Sequence, residues 1–351
     1  MYDRIFNMIK LFYLKNPKDF DDYELLDTGG GEKLEKFGPY TFIRPYEGAV
    51  WPKALGMKDN WAKADGKFWS SKTGAVKGWK MKNKIDKNWE MSYKGIKFLA
   101  SPTPFRHLGF FPEQASHWDF IEEKIGEKIF ASSNFLDSKK IPKKLLSHGS
   151  HSNLNVVNET NIAYAEESTS LESFEVPKIK FLNLFGYTGV ASLFALRAGA
   201  EITHIDASKT SIEWAKENQK LNSHLGLEKM PMRIICDDVM KFLEREIKRG
   251  NKYDAVIMDP PKFGRGPKGE TWDIEKDLPK LLSQVRKILS DKPLFVILNS
   301  YATDYSSLSL GYALESAMSG LKGETSSGEL CLLEKLNNRV ISLSNTAIWK
   351  S

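Results

Sequence analysis

Cysteine is scarce in this chain: Cys236 and Cys331 are the only two in 351 residues. Two thiols exclude a disulfide framework and a four-thiolate metal site, and they fit a reducing compartment, so a cytoplasmic location is expected. Long apolar runs are also missing, and none approaches the roughly 18 residues needed to span a membrane. The opening Met1-Tyr-Asp-Arg-Ile-Phe-Asn-Met8 has no basic region, apolar core or small-residue cleavage site of the secretory kind. The one histidine pair at ligand spacing, His148-Gly-Ser-His151, has no further His or Cys cluster to complete it, so no metal is expected. Nor is there a large excess of one charge: a net +6 permits a polyanionic partner without demanding one.

What is present is the make-up of a soluble globular protein, 41% hydrophobic and 27% charged. The length favours two domains. Composition divides the chain into a small β-rich domain over residues 1–104, a connecting segment over 105–146, a polar linker or insertion over 147–178, and alternating strands and helices over 179–351. In the last part, Ile179–Leu184, Ile202–Ile205, Met232–Cys236, Asp254–Met258 and Pro293–Leu298 read as strands. The segments between them carry helical spacing of apolar residues. Leu278–Leu289 and Leu308–Ser319 are among those helices. Glu329–Lys335 and Arg339–Trp349 flank Leu336-Asn-Asn338, a hairpin signal. The expected fold is α/β: a doubly wound, Rossmann-like sheet of seven strands that closes with an antiparallel hairpin.

Three motifs sit at the carboxyl ends of these strands, where such sheets bind ligands. Phe185-Gly-Tyr-Thr-Gly189 follows the first strand, and its glycines let backbone approach a ligand closely. It departs from the Gly-x-Gly-x-x-Gly pattern, which argues against a dinucleotide. Asp206 ends the second strand, placed either to accept ribose hydroxyls or to cap the next helix. Asp237-Asp238 follows the third, in position for an adenine amino group, with Asp238 preferred. Asp259-Pro260-Pro261-Lys262 ends the fourth: two prolines stiffen the turn, and Asp259 with a carbonyl can accept hydrogens from a flat polar base. A phosphate-free adenosyl cofactor, S-adenosylmethionine (SAM), and transfer of its methyl group account for this order. Candidate catalytic residues are Asp259, Pro260, Pro261 and Lys262. Candidate cofactor contacts are Asn183, Phe185, Gly186, Tyr187, Thr188, Gly189, Asp206, Ala207, Ser208, Asp237, Asp238 and Asp259. The loop Gly264–Glu270, with Arg265 and Lys268, reads as a mobile basic lip. A cysteine-dependent carbon methylation is not expected, because Ile297-Leu-Asn-Ser-Tyr301 offers no thiol and both cysteines read as small buried residues. Asn299 and Tyr301 are possible pocket residues.

Leu182-Asn-Leu-Phe-Gly-Tyr-Thr-Gly189, His204-Ile-Asp-Ala-Ser208, Asp237-Asp-Val-Met-Lys-Phe242 and Met258-Asp-Pro-Pro-Lys-Phe-Gly264 resemble the class I SAM-dependent methyltransferases related to the large-subunit ribosomal RNA enzymes. Leu25–Tyr40 and Gly109-Phe-Phe-Pro-Glu-Gln-Ala-Ser-His-Trp118 are similar to an uncharacterised bacterial branch of that group. The resemblance implies that the segment before the first strand covers the cofactor, which adds Phe111 and Gln114 to its contacts. It implies RNA, ribosomal RNA first, as the substrate. Trp51–Lys97 fits that partner, with twelve lysines against four acids and Trp51, Trp61, Trp69, Trp79 and Trp89 interleaved. A small β domain with core tryptophans and solvated lysines explains the same pattern. Methylation of a protein or small molecule, or RNA binding without catalysis, are the alternatives.

Overall fold

A computed structural model describes residues 9–14, 20–69, 78–137, 178–301 and 305–351. Of the linker expected at 147–178, all but Lys178 lies outside the described residues, His148 and His151 included. The first described element is β1 (Ile9–Phe12), followed by a five-stranded sheet of β2 (Tyr23–Gly29), β3 (Glu32–Phe37), β4 (Tyr40–Pro45), β5 (Gly66–Trp69) and β6 (Gly78–Met81), with α1 (Lys58–Lys63) before β5. β7 (Trp89–Tyr93) and β8 (Ile96–Ala100) form a separate hairpin. The long helix α2 (Ala115–Asp137) leads to the α/β part. There β9 (Lys180–Leu184), α3 (Val190–Arg197), β10 (Glu201–Asp206), α4 (Lys209–Lys220), β11 (Met232–Cys236), α5 (Val239–Arg249) and β12 (Ala255–Met258) alternate. After β12 come a short hairpin, β13 (Phe263–Arg265) and β14 (Thr271–Asp273), then α6 (Ile274–Ile288), β15 (Phe295–Ser300), α7 (Ser307–Ala317), β16 (Glu324–Leu333) and β17 (Val340–Lys350).

The large sheet runs β1-β16-β17-β15-β12-β9-β10-β11, with β17 antiparallel to both neighbours. It has one strand more than the seven expected. β1 pairs parallel with β16, Ile9 opposite Ser327, so the eighth strand comes from a stretch with no signal of its own. The central strands are apolar throughout because helices cover both faces. Side chains alternate between the two cores: Phe181 of β9 packs on one face with Phe295 and Trp118, and Leu182 and Leu184 pack on the other with Leu298. α6 begins a turn before the expected Leu278, because Asp273 caps it by accepting from the Glu275 amide at 3.2 Å, and Pro279 falls inside it.

The β-rich region does not stand alone. Phe20, Phe37, Phe98 and Phe110 belong to the same core as β9 and α3. Asn218 of α4 and Asn222 just beyond it bond the backbone of β8: their Oδ1 atoms accept from Leu99 and Lys97 amides at 2.8 Å. Its tryptophans are mostly structural. Trp61 and Trp89 are buried, and the Trp51 and Trp79 indoles donate to the carbonyls of Thr28 and Thr103. Only Trp69, 45% exposed with the Lys67 ammonium 4.3 Å from its ring, presents a face to solvent. Base stacking by the whole tryptophan series is therefore excluded: Trp61 and Trp89 are buried, and the Trp51 and Trp79 indoles are held by carbonyls.

At the centre of this region lies a buried ionic cluster. Arg44 grips Glu35 with two donors at 2.6 Å, Lys33 stands at 3.2 Å, and the Tyr23 hydroxyl donates at 2.8 Å. Burial would raise the Glu35 carboxyl, but the two cations outweigh it and hold it at about 2. Removing one partner leaves an uncompensated charge, so Glu35→Ala should lower stability by about 3–5 kcal/mol in urea unfolding. The folded pKa is depressed, so this stabilisation is present above the unfolded value of about 4.3 and fades as pH falls towards 2. A loss below 1 kcal/mol would show the cluster to be solvated.

Candidate active site

The loop after β9 is held in a strained form. Phe185 and Tyr187 both have left-handed backbone, φ 58° and 52°, which costs non-glycine residues energy and marks a loop fixed by its surroundings. The fixing bonds are visible. The Gly186 amide donates to Ile205 O at 2.9 Å, Tyr187 N–H donates to Asp206 Oδ2 at 2.9 Å, and Thr188 Oγ1 donates to Gly109 O at 2.6 Å. A side chain at Gly186 would lie 2.3 Å from the buried His204 ring, so the loop can run this close to β10 only with glycine there. His204 itself is held by Ser192, which also accepts from Asn183 at 3.0 Å. Asn183 thus points beneath the loop.

Asp206 is not a helix cap. Ser208 caps α4, accepting from the Ser211 amide at 3.2 Å, while Asp206 Oδ1 accepts from the Ser208 amide at 2.8 Å. Its carboxylate therefore ties the loop after β9 to the end of β10, and burial raises its pKa. One strand further out, Asp238 caps α5 through the Lys241 amide at 2.9 Å, and Asp237 pairs with Arg245. Asp237 is linked to Asp206 by its own amide, which donates to Asp206 O at 3.1 Å.

Phe111, Gln114, Asn183, Phe185–Gly189 and Asp259 line one cavity of about 50 Å³. Asp206, Ala207, Ser208, Asp237 and Asp238 lie along the sheet edge beyond it. Gln114 is buried and joins two elements: its Nε2 donates to Asp259 Oδ2 and to the Tyr301 hydroxyl, each at 3.1 Å. Its Oε1 accepts from Asn299 at 3.2 Å and lies 3.0 Å from His117 Nδ1. Burial holds the His117 imidazole neutral, down at about 3, so its Nδ1–H donates to that oxygen. Burial pushes the Asp259 carboxyl up to about 8; the nearby Glu113 adds to this, and the Gln114 bond opposes it.

The Asp-Pro-Pro turn is pinned from outside by Trp272, whose indole donates to Pro261 O at 2.7 Å and whose ring lies 5.1 Å from Phe185. The expected mobile lip is in fact the β13–β14 hairpin. Glu270 closes its tip, accepting from the Lys268 amide at 2.8 Å and pairing with Lys241 at 2.5 Å. Lys262 turns to Glu275, 3.8 Å away. Cys331 is buried, with its thiol pushed up to about 12. Cys236 is half-buried rather than fully buried, and its thiol too is raised by burial. Among the described residues no group of His, Cys, Asp and Glu could hold a metal, and no helix is long and apolar enough to cross a membrane. Sequence reading missed Glu113, His117 and Trp272; only the aromatic-polar pattern around Gln114 hinted at the first two.

A doubly wound sheet of this strand order, with an acid after its second strand and Asp-Pro-Pro after its fourth, is the class I methyltransferase architecture. The crystal structure of a SAM-dependent methyltransferase from Agrobacterium tumefaciens is 36% identical, with a TM-score of 0.77, and the match covers 97% of this chain and 93% of that one. This chain belongs to the SAM-dependent methyltransferase family. A Streptococcus mutans structure described under the same activity shares the fold at 15% identity and a TM-score of 0.60, over 93% of this chain and 75% of that one. Ribosomal RNA large subunit methyltransferase K of Neisseria meningitidis is 33% identical over 123 residues, 34% of either chain. The chain thus spans about a third of that relative's length. No protein-family model matches the chain.

Proposed function

We propose that the chain methylates RNA, ribosomal RNA first, by direct transfer without a thiolate intermediate, in the cytoplasm. The observation that carries the reading is Asp259, held by Gln114 at the cavity shared with the strained loop. SAM supplies a methyl group already activated as a sulfonium. The cavity of about 50 Å³ is far below the roughly 300–1,000 Å³ of a small-molecule pocket, so it suits only one end of the cofactor. The methionine end fits beside Phe185–Gly189, and the adenosine end along Asp206–Ser208 and Asp237–Asp238.

In this reading Asp259 orients the acceptor and takes up its proton. Two prolines and Trp272 hold the turn rigid, so positioning is prepaid. The Pro261 carbonyl already accepts from Trp272, which favours the Asp259 or Pro260 carbonyl for the acceptor's second hydrogen. Lys262 serves the turn through Glu275. Raised thiols at Cys236 and Cys331 support a mechanism without a cysteine nucleophile.

We assign residues 1–104 to RNA contact, 105–146 to covering the cofactor and 147–178 to a linker. Lys58, Lys63, Lys80, Lys84 and Lys87 are exposed and make no ion pair among the described residues, and the Neisseria relative's name points to RNA. Three to five phosphate contacts to a single strand predict a slope of roughly −2 to −4 for log affinity against log salt concentration. A flat salt titration would favour a protein or small-molecule acceptor. Mass spectrometry of ribosomal RNA with and without the gene should lose one methylated nucleotide; an unchanged map overturns the substrate.

A further inference from the structure

A second cavity, about 300 Å³, lies between the β-rich region and the α/β part. It is not the cavity of the glycine loop, but the two share a wall. The Phe111 ring is 5.8 Å from Tyr187 on one side, and 5.1 Å from Tyr301 and 4.7 Å from His107 on the other. The Asp259–Gln114–Tyr301 hydrogen bonds run along the same boundary.

The lining has two kinds of chemistry. Phe111, Tyr301 and His107 offer flat faces; burial keeps the His107 ring uncharged, its pKa down at about 3. Arg106 and Glu113 offer charge, and Lys33, Arg44 and Glu47 also stand in the lining. Arg106 has one ion pair, a long one of 3.9 Å to an exposed Glu47. Glu113 is only 5% exposed; its carboxyl accepts from its own backbone amide and lies in the field of the Lys33 and Arg44 cations. A carboxylate has about four acceptor positions, so one that lines a cavity with its own amide as donor keeps room for a donor from outside. Deep burial raises its pKa against the pull of Lys33, its own amide and Arg44.

We propose that this cavity receives the acceptor as a single nucleotide drawn out of its strand. Its base lies against Phe111 and Tyr301, an exocyclic amino edge bonds to Glu113, and its phosphate meets Arg106. The volume, at the lower end for small-molecule sites, suits one nucleotide and excludes a duplex. Enzymes that act on a base take it out of the stack in this way and read its edge inside a pocket. A carboxyl at that edge selects cytosine, adenine or guanine, whose amino groups donate, over uracil. The proposal rests on the RNA reading above and adds where the acceptor sits and what selects it.

The test uses the full chain saturated with S-adenosylhomocysteine and the four ribonucleoside 5′-monophosphates as probes, followed by saturation-transfer NMR. CMP, AMP or GMP should bind saturably and better than UMP. Arg106→Ala should weaken that binding at least about tenfold. Glu113→Gln, close in shape, should erase the preference over UMP. Both variants should keep wild-type affinity for S-adenosylhomocysteine, since neither residue lines the cavity of the glycine loop. Nucleotide binding blind to both substitutions, or no saturable binding up to about 10 mM, overturns the cavity assignment. Failure of the wild type to bind S-adenosylhomocysteine overturns the cofactor reading beneath it. If Glu113→Gln does not fold, Arg106→Ala alone decides, because its side chain is 44% exposed.

Discussion

Asp206→Ala is expected to lose SAM binding by at least about a hundredfold, which corresponds to about 2.7 kcal/mol. Two effects combine. The carboxylate is the group proposed to accept the ribose hydroxyls, and a charged acceptor is worth about 1.5–3 kcal/mol. It also accepts from the Tyr187 and Ser208 amides, at 2.9 and 2.8 Å. Without it the Tyr187 amide is unpaired, and the left-handed backbone at Phe185 and Tyr187 loses a tether. Asp206→Asn keeps one acceptor oxygen and should fall between wild type and alanine. Calorimetric titration with SAM checks both. Unchanged affinity in the alanine variant would sink the site assignment.

Asp259→Asn should keep SAM binding and lose roughly 100- to 10,000-fold in turnover, the usual worth of a positioned proton acceptor. The wild-type pH profile gives a second readout. Asp259 titrates at about 8, so kcat/KM should rise with pH through that value, and the rise should vanish in the asparagine variant. The stability sign is opposite. An acid whose folded pKa is raised holds a proton that the unfolded chain has lost, so its contribution to stability falls from about pH 4 to pH 8. Asp259→Asn should therefore melt higher than wild type at pH 9. Full activity in the variant would remove the proposed role, and a profile flat through pH 8 would remove the proton transfer.

Much of the α/β part could be read from sequence because its strands are apolar on both faces and end in residues with few alternatives. Phe181–Leu184, Ala255–Met258 and Asp259-Pro-Pro are local signals that need no partner to be recognised. β1 could not be read, because its four residues become a strand only through β16, more than 300 residues away. The β13–β14 hairpin was hidden for a related reason. Gly264-Arg-Gly-Pro-Lys-Gly looks like a free loop until Trp272 reaches back to Pro261 and Glu270 folds over the tip. Within the site, Phe111 and Gln114 came from resemblance and not from pattern. Glu113 has no sequence signal that separates it from a surface acid; only its burial beside a cavity does.

The pairing of β1 with β16 has a consequence for how the molecule is made. Ile9–Phe12 leaves the ribosome first among the described strands, and its ladder partner emerges more than 300 residues later. Until then the early strand has exposed amides and carbonyls and nothing to pair with. The backbones meet so closely that a side chain at Gly328 would lie 1.7 Å from Lys10 O, so only a glycine there lets the late strand dock. Completion of the sheet therefore waits for β16, and the finished fold covers a β16 edge that would otherwise offer itself to other molecules.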